Sequence, residues 1–522
     1  MAKFIPYDYN QSSMVVINFN DQIQMGTFEH AVHYLVDNRL DLSLFKAVYK
    51  NDDYGRPAYD PAILLKIILF AYSKGITSSR EIECCCRSNI IFMALSCQST
   101  PHFTKIAEFI SGHCGAVESL FEQVLLICDE QGLLGNELFA IDGCKMPSNA
   151  AKEFSGTHKE LAAKRDKIKR LVRHHTEKHQ QNDLLENDEE TKLQSSRHQQ
   201  AIATLNKAAD KIDNFLNNNE PRIGKGKSKK EVKSNITDNE SAKMTTSKGT
   251  IQGYNGIASV DKKHQIIIGA DAFGEGSEHH TLQPILKSIR ERYKKLGLSD
   301  DIYEEGIIVT ADTGFANEAN MKYLQENEIN AYIPDNQFRS RDPKFKDHKK
   351  KHPRPSRAKN GSAKIFAAKE FTFDEHALKC VCPNGESLSL SGQVKDTKGN
   401  TTVHFTGRIT QCRNCPKINQ CMKNPTATTQ KNGRGRQVSF LFQKQNKATH
   451  TDWMKERVDS DKGKRIYSHR MSVVEPVFGN LEFNKKLTRF SLRGLKKVRA
   501  QWKLFCLIQN IEKLANYGKL TT

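Results

Sequence analysis

The sequence predicts a multidomain α plus α/β chain: a helical N-terminal domain, then a mixed-sheet core broken by two insertions. Three observations predict it. Apolar residues keep helical spacing through about residue 130, and from 137 onward short apolar runs of strand length alternate with helical stretches. Two polar segments, 155–235 and 335–463, interrupt that alternation. The expected parts are a helical domain over 1–130 and a core over 136–334 plus 464–515. A helical hairpin with a basic linker (155–235) and a basic, cysteine-rich, zinc-ribbon-like insertion (335–463) complete the chain.

In the N-terminal part, Asp60 is placed to cap a helix that Pro61 begins, Ile63 to Tyr72 supply its apolar positions, and Gly75 suits its stop. Ser78 or Ser79 can cap a second helix through Arg80, Ile82 and Cys86. Two helices about a short glycine-containing turn have the outline of a helix-turn-helix, and equally of plain helical packing. Pro101 ends this pattern, and another helical stretch is expected between Lys105 and Cys128.

The first strand is expected over 137–143. Leu161, Ile168 and Leu171, then Ile202, Leu205, Ala209, Ile212 and Leu216, keep three-four spacing and predict the hairpin. Residues 218–235, with Gly224-Lys-Gly-Lys-Ser-Lys-Lys230, read as a flexible basic linker. Strands follow over Tyr254 to Val260 and His264 to Ala270, joined at Asp261-Lys-Lys263; then come a helix from His280 to Leu296 and a strand before Asp312. A helix near 317–327 and a short strand near 330–334 close the series. The order is that of a ribonuclease-H-like core, apart from the inserted hairpin. Near-continuous apolarity before Asp312 suits a central strand covered on both faces.

The formal charge of +20 and sequence pI of about 9.3 point to an extended polyanion as partner. No run reaches the ~18 apolar residues a bilayer span needs, and the run from Ala62 to Tyr72 is interrupted by Lys66. The beginning Met1-Ala-Lys-Phe-Ile-Pro has no hydrophobic signal core, and thirteen irregular cysteines do not make a disulfide scaffold. A reducing, cytoplasmic, nucleoid-associated setting is expected, with no membrane partner.

Three acids stand where a hard divalent cation could be held. Asp142 ends the run Leu138-Phe-Ala-Ile141, Asp312 ends Ile307-Ile-Val-Thr-Ala311, and Glu475 lies in an arginine-bearing stretch. In-line phosphodiester cleavage is served by two Mg²⁺ ions roughly 3.5–4 Å apart, clamped by a few carboxylates. Each acid alone reads as a cap or a surface residue; their joint placement carries the reading.

Six motifs then make the reading specific: Tyr54-Gly-Arg-Pro-Ala-Tyr-Asp-Pro61, Gly75-Ile-Thr-Ser-Ser-Arg-Glu-Ile82, Ile141-Asp-Gly-Cys-Lys-Met146, Gly253-Tyr-Asn255, Ala311-Asp-Thr-Gly-Phe315 and Val474-Glu-Pro-Val-Phe-Gly479. In this order the chain resembles the DDE transposases of bacterial insertion sequences, in the branch with an InsH-type N-terminal domain. The resemblance implies Asp142, Asp312 and Glu475 as the triad for two Mg²⁺ (or Mn²⁺) ions. It also implies double-stranded DNA, as transposon ends and target, and a homodimer in the synaptic complex. The family pattern Tyr-x2-Arg-x3-Glu-x6-Lys is met by Tyr467, expected to position the strand, and Arg470, expected to hold a phosphate or stabilise developing charge. Glu475 falls one residue late, Glu482 occupies the lysine position and is a rival third acid, and Pro476 disfavours helix at Glu475.

Cys382, Cys412, Cys415 and Cys421 make a set of soft ligands suited to structural Zn²⁺, with Cys380 or His376 as substitutes. Residues 335–370 hold twelve Lys/Arg against four Asp/Glu, and 464–503 hold eleven against two. Arg489, Arg493, Lys496, Lys497 and Arg499, interleaved with apolar residues, are expected on one cationic helix face for phosphate contact. Arg80 and Arg87 are the candidates for base reading. Rival readings are a nuclease without strand transfer, a catalytically inactive transposase-derived DNA-binding protein and a zinc-finger regulator.

Overall fold

The chain is described by a computed structural model over residues 17–46, 57–183, 189–224, 229–247, 249–345, 365–396, 399–430, 433–443, 445 and 447–520. The motif residues Tyr54 to Arg56, most of the basic run 335–370 and Lys225 to Ser228 of the expected linker lie outside the described residues. The chain divides into two compact units, one of Met1–Phe315, Glu326–Ile333 and Arg465–Thr522, the other of Ala316–Gln325 and Pro334–Lys464.

In the first unit, the helix Pro61–Ser73 starts as its sequence dictates: Asp60 accepts from Ala62 N–H at 2.8 Å, and Pro61 sits where no amide hydrogen is needed. Lys66, which interrupts its apolar run, is buried and pairs with Asp37 at 2.6 Å. Gly75 takes φ +75° after the helix, a conformation that favours glycine. The helix Ser79–Ser88 follows, with Ser78 at its N-cap but no side-chain cap bond. The stretch expected as one helix beyond Pro101 is two, Phe103–Gly112 and Cys114–Glu130, divided at His113. Pro61–Ser73 and Cys114–Glu130 pack on the C-terminal helix Leu495–Tyr517, with Tyr72 stacked on Phe505 at 5.1 Å between ring centres.

The mixed sheet is built from β1 (Leu138–Pro147), β4 (Ala242–Thr246), β5 (Gly249–Asp261), β6 (Ile267–Phe273), β7 (Ile308–Ala311) and β8 (Ala331–Tyr332). β5 runs antiparallel to β1 along one edge; along the other it pairs with β4 over its first residues and with β6 over the rest. β1, β7 and β8 are parallel neighbours in that order. The turn after β5 is fixed by the Asp261 carboxylate, which accepts from the N–H groups of Gly135, Asn136 and Lys263. Helices cover both faces, which explains the continuous apolarity of the strands. Leu282–Lys295 packs Ile289 into the space left by Gly269. Leu495–Tyr517 lays Trp502 against Gly256, Trp502 Nε1 donates to Ile257 O at 2.8 Å, and Asn510 bonds both backbone groups of Ile267.

The inserted hairpin, His158–Asp183 and Glu189–Asn218, closes on Leu161, Ile168, Ala209, Ile212 and Phe215. Leu171, counted in its stripe, is exposed instead. The expected linker is more ordered than its composition implies. Short strands β2 (Ser155–Gly156) and β3 (Ser234–Asn235) pair, Ile223 bridges Glu231, and the Arg222 guanidinium donates to the carbonyls of Asn239, Ser241 and Gly274.

The second unit holds an antiparallel sheet in the order β13 (Gln437–Gln443), β12 (Thr401–Thr406), β11 (Ser387–Lys395), β10 (Lys379–Val381) and β9 (Thr372–Asp374). Its core is Phe371, Cys380, Leu388, Val403, Phe405 and Val438.

Candidate active site and cysteine site

β1 and β7 run in register from Leu138 beside Ile308 to Ile141 beside Ala311, so Asp142 and Asp312 are the next residues on neighbouring parallel strands, spaced about 4.8 Å apart. Asp142 does not end its strand, as the apolar run implied: β1 continues to Pro147 against β5 while β7 stops. That leaves an opening beside β1, where the acids gather. Asp142 is largely buried and pairs with Arg470 at 2.6 Å, while Gly143 N–H donates to its Oδ1 at 2.8 Å. Burial still dominates and lifts its carboxyl to about 6; Arg470 opposes this, and the nearby charges of Asp312 and Glu278 add to it.

Arg470 comes from the helix Asp461–Gly479 and is itself buried, with its Nε lacking a partner among the described residues. It braces Asp142, next to where it is expected to hold a phosphate or stabilise developing charge. Tyr467 lies one turn earlier, partly buried. The same helix runs through Glu475 and Pro476, although proline disfavours helix there. Pro476 has no N–H for the carbonyl of Ser472, and Gln265 Nε2 supplies the missing donor at 3.1 Å.

Arg470, Val473, Val474 and Val477 are buried while Met471, Ser472 and Glu475 are exposed, so Glu475 and Arg470 project from different faces. The structure thus brings Asp142, Asp312 and Arg470 together, with Glu475 exposed on another face of the helix that carries Arg470. Glu482, in the π-helical turn Asn480–Asn484, is nearer: with Asp142 and Glu278 it adds to the burial that pushes up the thiol of Cys144, two residues beyond Asp142. Glu278 is the site residue that sequence reasoning missed. It stands in a 3₁₀ turn, Glu278–His280, after β6, and Asn255 Nδ2 donates to its Oε1 at 3.3 Å. Burial raises its carboxyl; the Asn255 hydrogen bond and the charge of Lys145 oppose this, and Asp312 adds to it. The available signal was an acid just past a strand and before a helix, the same placement that drew attention to Asp312.

An all-oxygen set with under-compensated negative charge, next to the orphaned buried Oδ1 of Asn255, fits a hard divalent cation. Among the described residues no three His, Cys, Asp or Glu side chains are close enough together to hold a metal ion outright.

In the second unit, Cys382, Cys412, Cys415 and Cys421 line one cavity of about 40 Å³, with Glu386, Gln411 and Arg436. The other three thiols push up that of Cys421, although burial is the larger cause and Arg436 opposes it. Neither expected substitute lines the cavity: Cys380 is packed in the sheet core, and His376 sits in the turn between β9 and β10.

The cationic set is less free than its spacing implied. Arg489 and Arg493 precede the helix, which begins only at Leu495, and both donate to Asn149. Arg499 pairs with Asp271 at 2.8 Å. Arg87 pairs with Glu83, and Arg80 lies over the Phe103 ring at 4.8 Å. Lys496 and Lys497 are exposed. Among the described residues no helix is long and apolar enough to cross a membrane.

Two family models match the chain, and both describe transposases: a transposase DDE domain over residues 381–515 and a transposase domain (DUF772) over residues 17–112. Together they support a DDE transposase of the insertion-sequence type. The matched spans take in Arg470, Glu475, all four cavity cysteines and the N-terminal helices through Gly112, and leave Asp142 and Asp312 outside. No curated protein matches the chain.

Proposed function

We propose that the chain cleaves DNA at the ends of its own element and joins the released 3′ ends to target DNA, using a ribonuclease-H-like core. The observation that carries this reading is the in-register placement of Asp142 and Asp312 on parallel strands at the opening where β7 stops. Asp142 and Asp312 would hold the catalytic cations, with the third acid drawn from Glu475 or Glu482. Mg²⁺ or Mn²⁺, when bound, supplies the positive charge that an in-line displacement at phosphorus requires. Arg470 holds the Asp142 carboxylate in place, and its buried charge keeps that acid ionised against the cost of burial. Water attacks the phosphodiester first; the 3′-hydroxyl so released attacks the target strand. Two such chains would hold the two ends.

Asp142→Asn should abolish Mg²⁺-dependent nicking of DNA carrying the element's flanking repeats, while gel-shift binding of those ends stays near wild type. Nicking that survives the substitution counts against the reading. Pre-cleaved ends incubated with target DNA separate a transposase from a nuclease: joined products are expected.

The cysteine cavity is proposed as a structural zinc site. Purified protein should carry one zinc per chain by elemental analysis, and Cys412→Ser should lose it and lower the melting temperature. Zinc content unchanged by that substitution would remove Cys412 from the ligand set.

A further inference from the structure

We propose that Glu278 is a metal-binding residue of the active site, joining Asp142 and Asp312 around a divalent cation. This rests on the transposase reading above and names a ligand that the family motifs do not include. The argument starts from two glycines. Gly143 follows Asp142 directly, and a Cβ there would lie 3.3 Å from Glu278 Oε1. Gly314 follows Asp312 by two residues, and a Cβ there would lie 2.1 Å from Glu278 Oε2. At Gly314 the carboxylate occupies the space a side chain would need; at Gly143 it lies beside Ile257 Cδ1 and Asn255 Oδ1, which come nearer. Its two oxygens thus lie against the β1 and β7 segments that carry the aspartates.

The turn that carries Glu278 is tied down locally. Ser277 Oγ accepts from His279 N–H, and Thr281 Oγ1 donates to Glu278 O at 2.9 Å. A carboxylate needed only to cap this turn would face its own backbone N–H groups. Glu278 instead projects inward, and its hydrogen-bond partner among the described residues is the single amide of Asn255 at 3.3 Å. Asn255 is fully buried on β5, and among the described residues its own Oδ1 has no partner, although it lies 3.0 Å from where a Cβ on Gly143 would stand. A half-buried carboxylate with one long hydrogen bond, close to two further acids and an orphaned carbonyl oxygen, is costly to maintain. A divalent cation, or water bound to it, supplies the missing positive charge and donors for all four groups.

The test uses the full-length protein and Mn²⁺ as the probe, with free Mn²⁺ followed by electron paramagnetic resonance. Glu278→Gln should weaken Mn²⁺ binding roughly tenfold or more. Gly314→Ala keeps every charge and should do the same by displacing the flexible end of Glu278. Circular dichroism melts establish that each variant is folded, and Gly314→Ala decides the matter if Glu278→Gln is not. Asp142→Asn and Asp312→Asn are the reference variants. If they leave Mn²⁺ affinity at the wild-type level, the active-site reading itself fails. If they remove binding while Glu278→Gln or folded Gly314→Ala binds as wild type, only the role of Glu278 is overturned.

Discussion

Gly256 shows how one missing side chain positions β5, the strand paired with β1. It faces the ring carbons of Trp502, and an added Cβ would meet them at 3.1 Å. Trp502 cannot yield easily, because it is fully buried and held by its Nε1 bond to Ile257 O. Gly256→Ala is therefore expected to destabilise by about 1–3 kcal/mol, the usual cost of overpacking a rigid core. Urea denaturation should show the midpoint falling with an unchanged slope; an unshifted midpoint would mean that the helix moves away at no cost. Residue-scale reading of the sequence worked where the chemistry was local, as at Asp60, Pro61 and Gly75. It disfavours helix at Pro476 without excluding a kink, and the missing hydrogen bond is made good by Gln265, 207 residues away along the chain. It missed Glu278, whose significance lies in clearances at Gly143 and Gly314 that no spacing rule reports.

Among the elements, three helices of the first unit meet at one acid. Glu118 on Cys114–Glu130 pairs with Arg292 of Leu282–Lys295 and with Lys503 of Leu495–Tyr517. Arg292 is only 2% exposed at its side chain, so losing Glu118 strands a buried cation. Burial alone would raise the Glu118 carboxyl, but Lys503 and Arg292 together hold it below its ordinary value. The stability it contributes is thus complete above the usual glutamate range and disappears as the pH falls through the depressed value. Glu118→Gln should cost about 2–3 kcal/mol at pH 7, less than a fully enclosed pair because Glu118 is about a third exposed. The difference from wild type should shrink on acidification; a pH-independent difference would assign the loss to packing. Element order was legible because strands of the sheet are short apolar runs and the helices between them are amphipathic. The boundary at Leu495 was not. Gln501 Oε1 accepts from the N–H groups of Ser491 and Leu492, and Gly494 takes φ +83°, so tertiary bonds hold Arg489 and Arg493 in a loop that composition alone read as helix.

For the whole molecule, the charge of +20 sets an expectation about DNA that the pairings above refine. Each phosphate neutralised by a cation releases a counterion, so the slope of log K against log salt counts contacts at about 0.9 per phosphate on duplex DNA. A cation already committed to the fold contributes little to that slope. Arg499 is committed to Asp271, and Arg489 and Arg493 brace Asn149, whereas Lys496 and Lys497 lie exposed at the start of the C-terminal helix. Replacing both lysines with alanine should flatten the salt slope by about 2 and weaken binding to any sequence alike, with the melting temperature unchanged. Arg499→Ala should do the reverse, lowering stability through the unpaired Asp271 while leaving the slope close to wild type. Fluorescence anisotropy on a labelled duplex across a salt series separates the two. If Arg499→Ala flattens the slope and the lysine pair does not, DNA approaches this helix from the side that carries Asp271, and the exposed lysines are solvated bystanders.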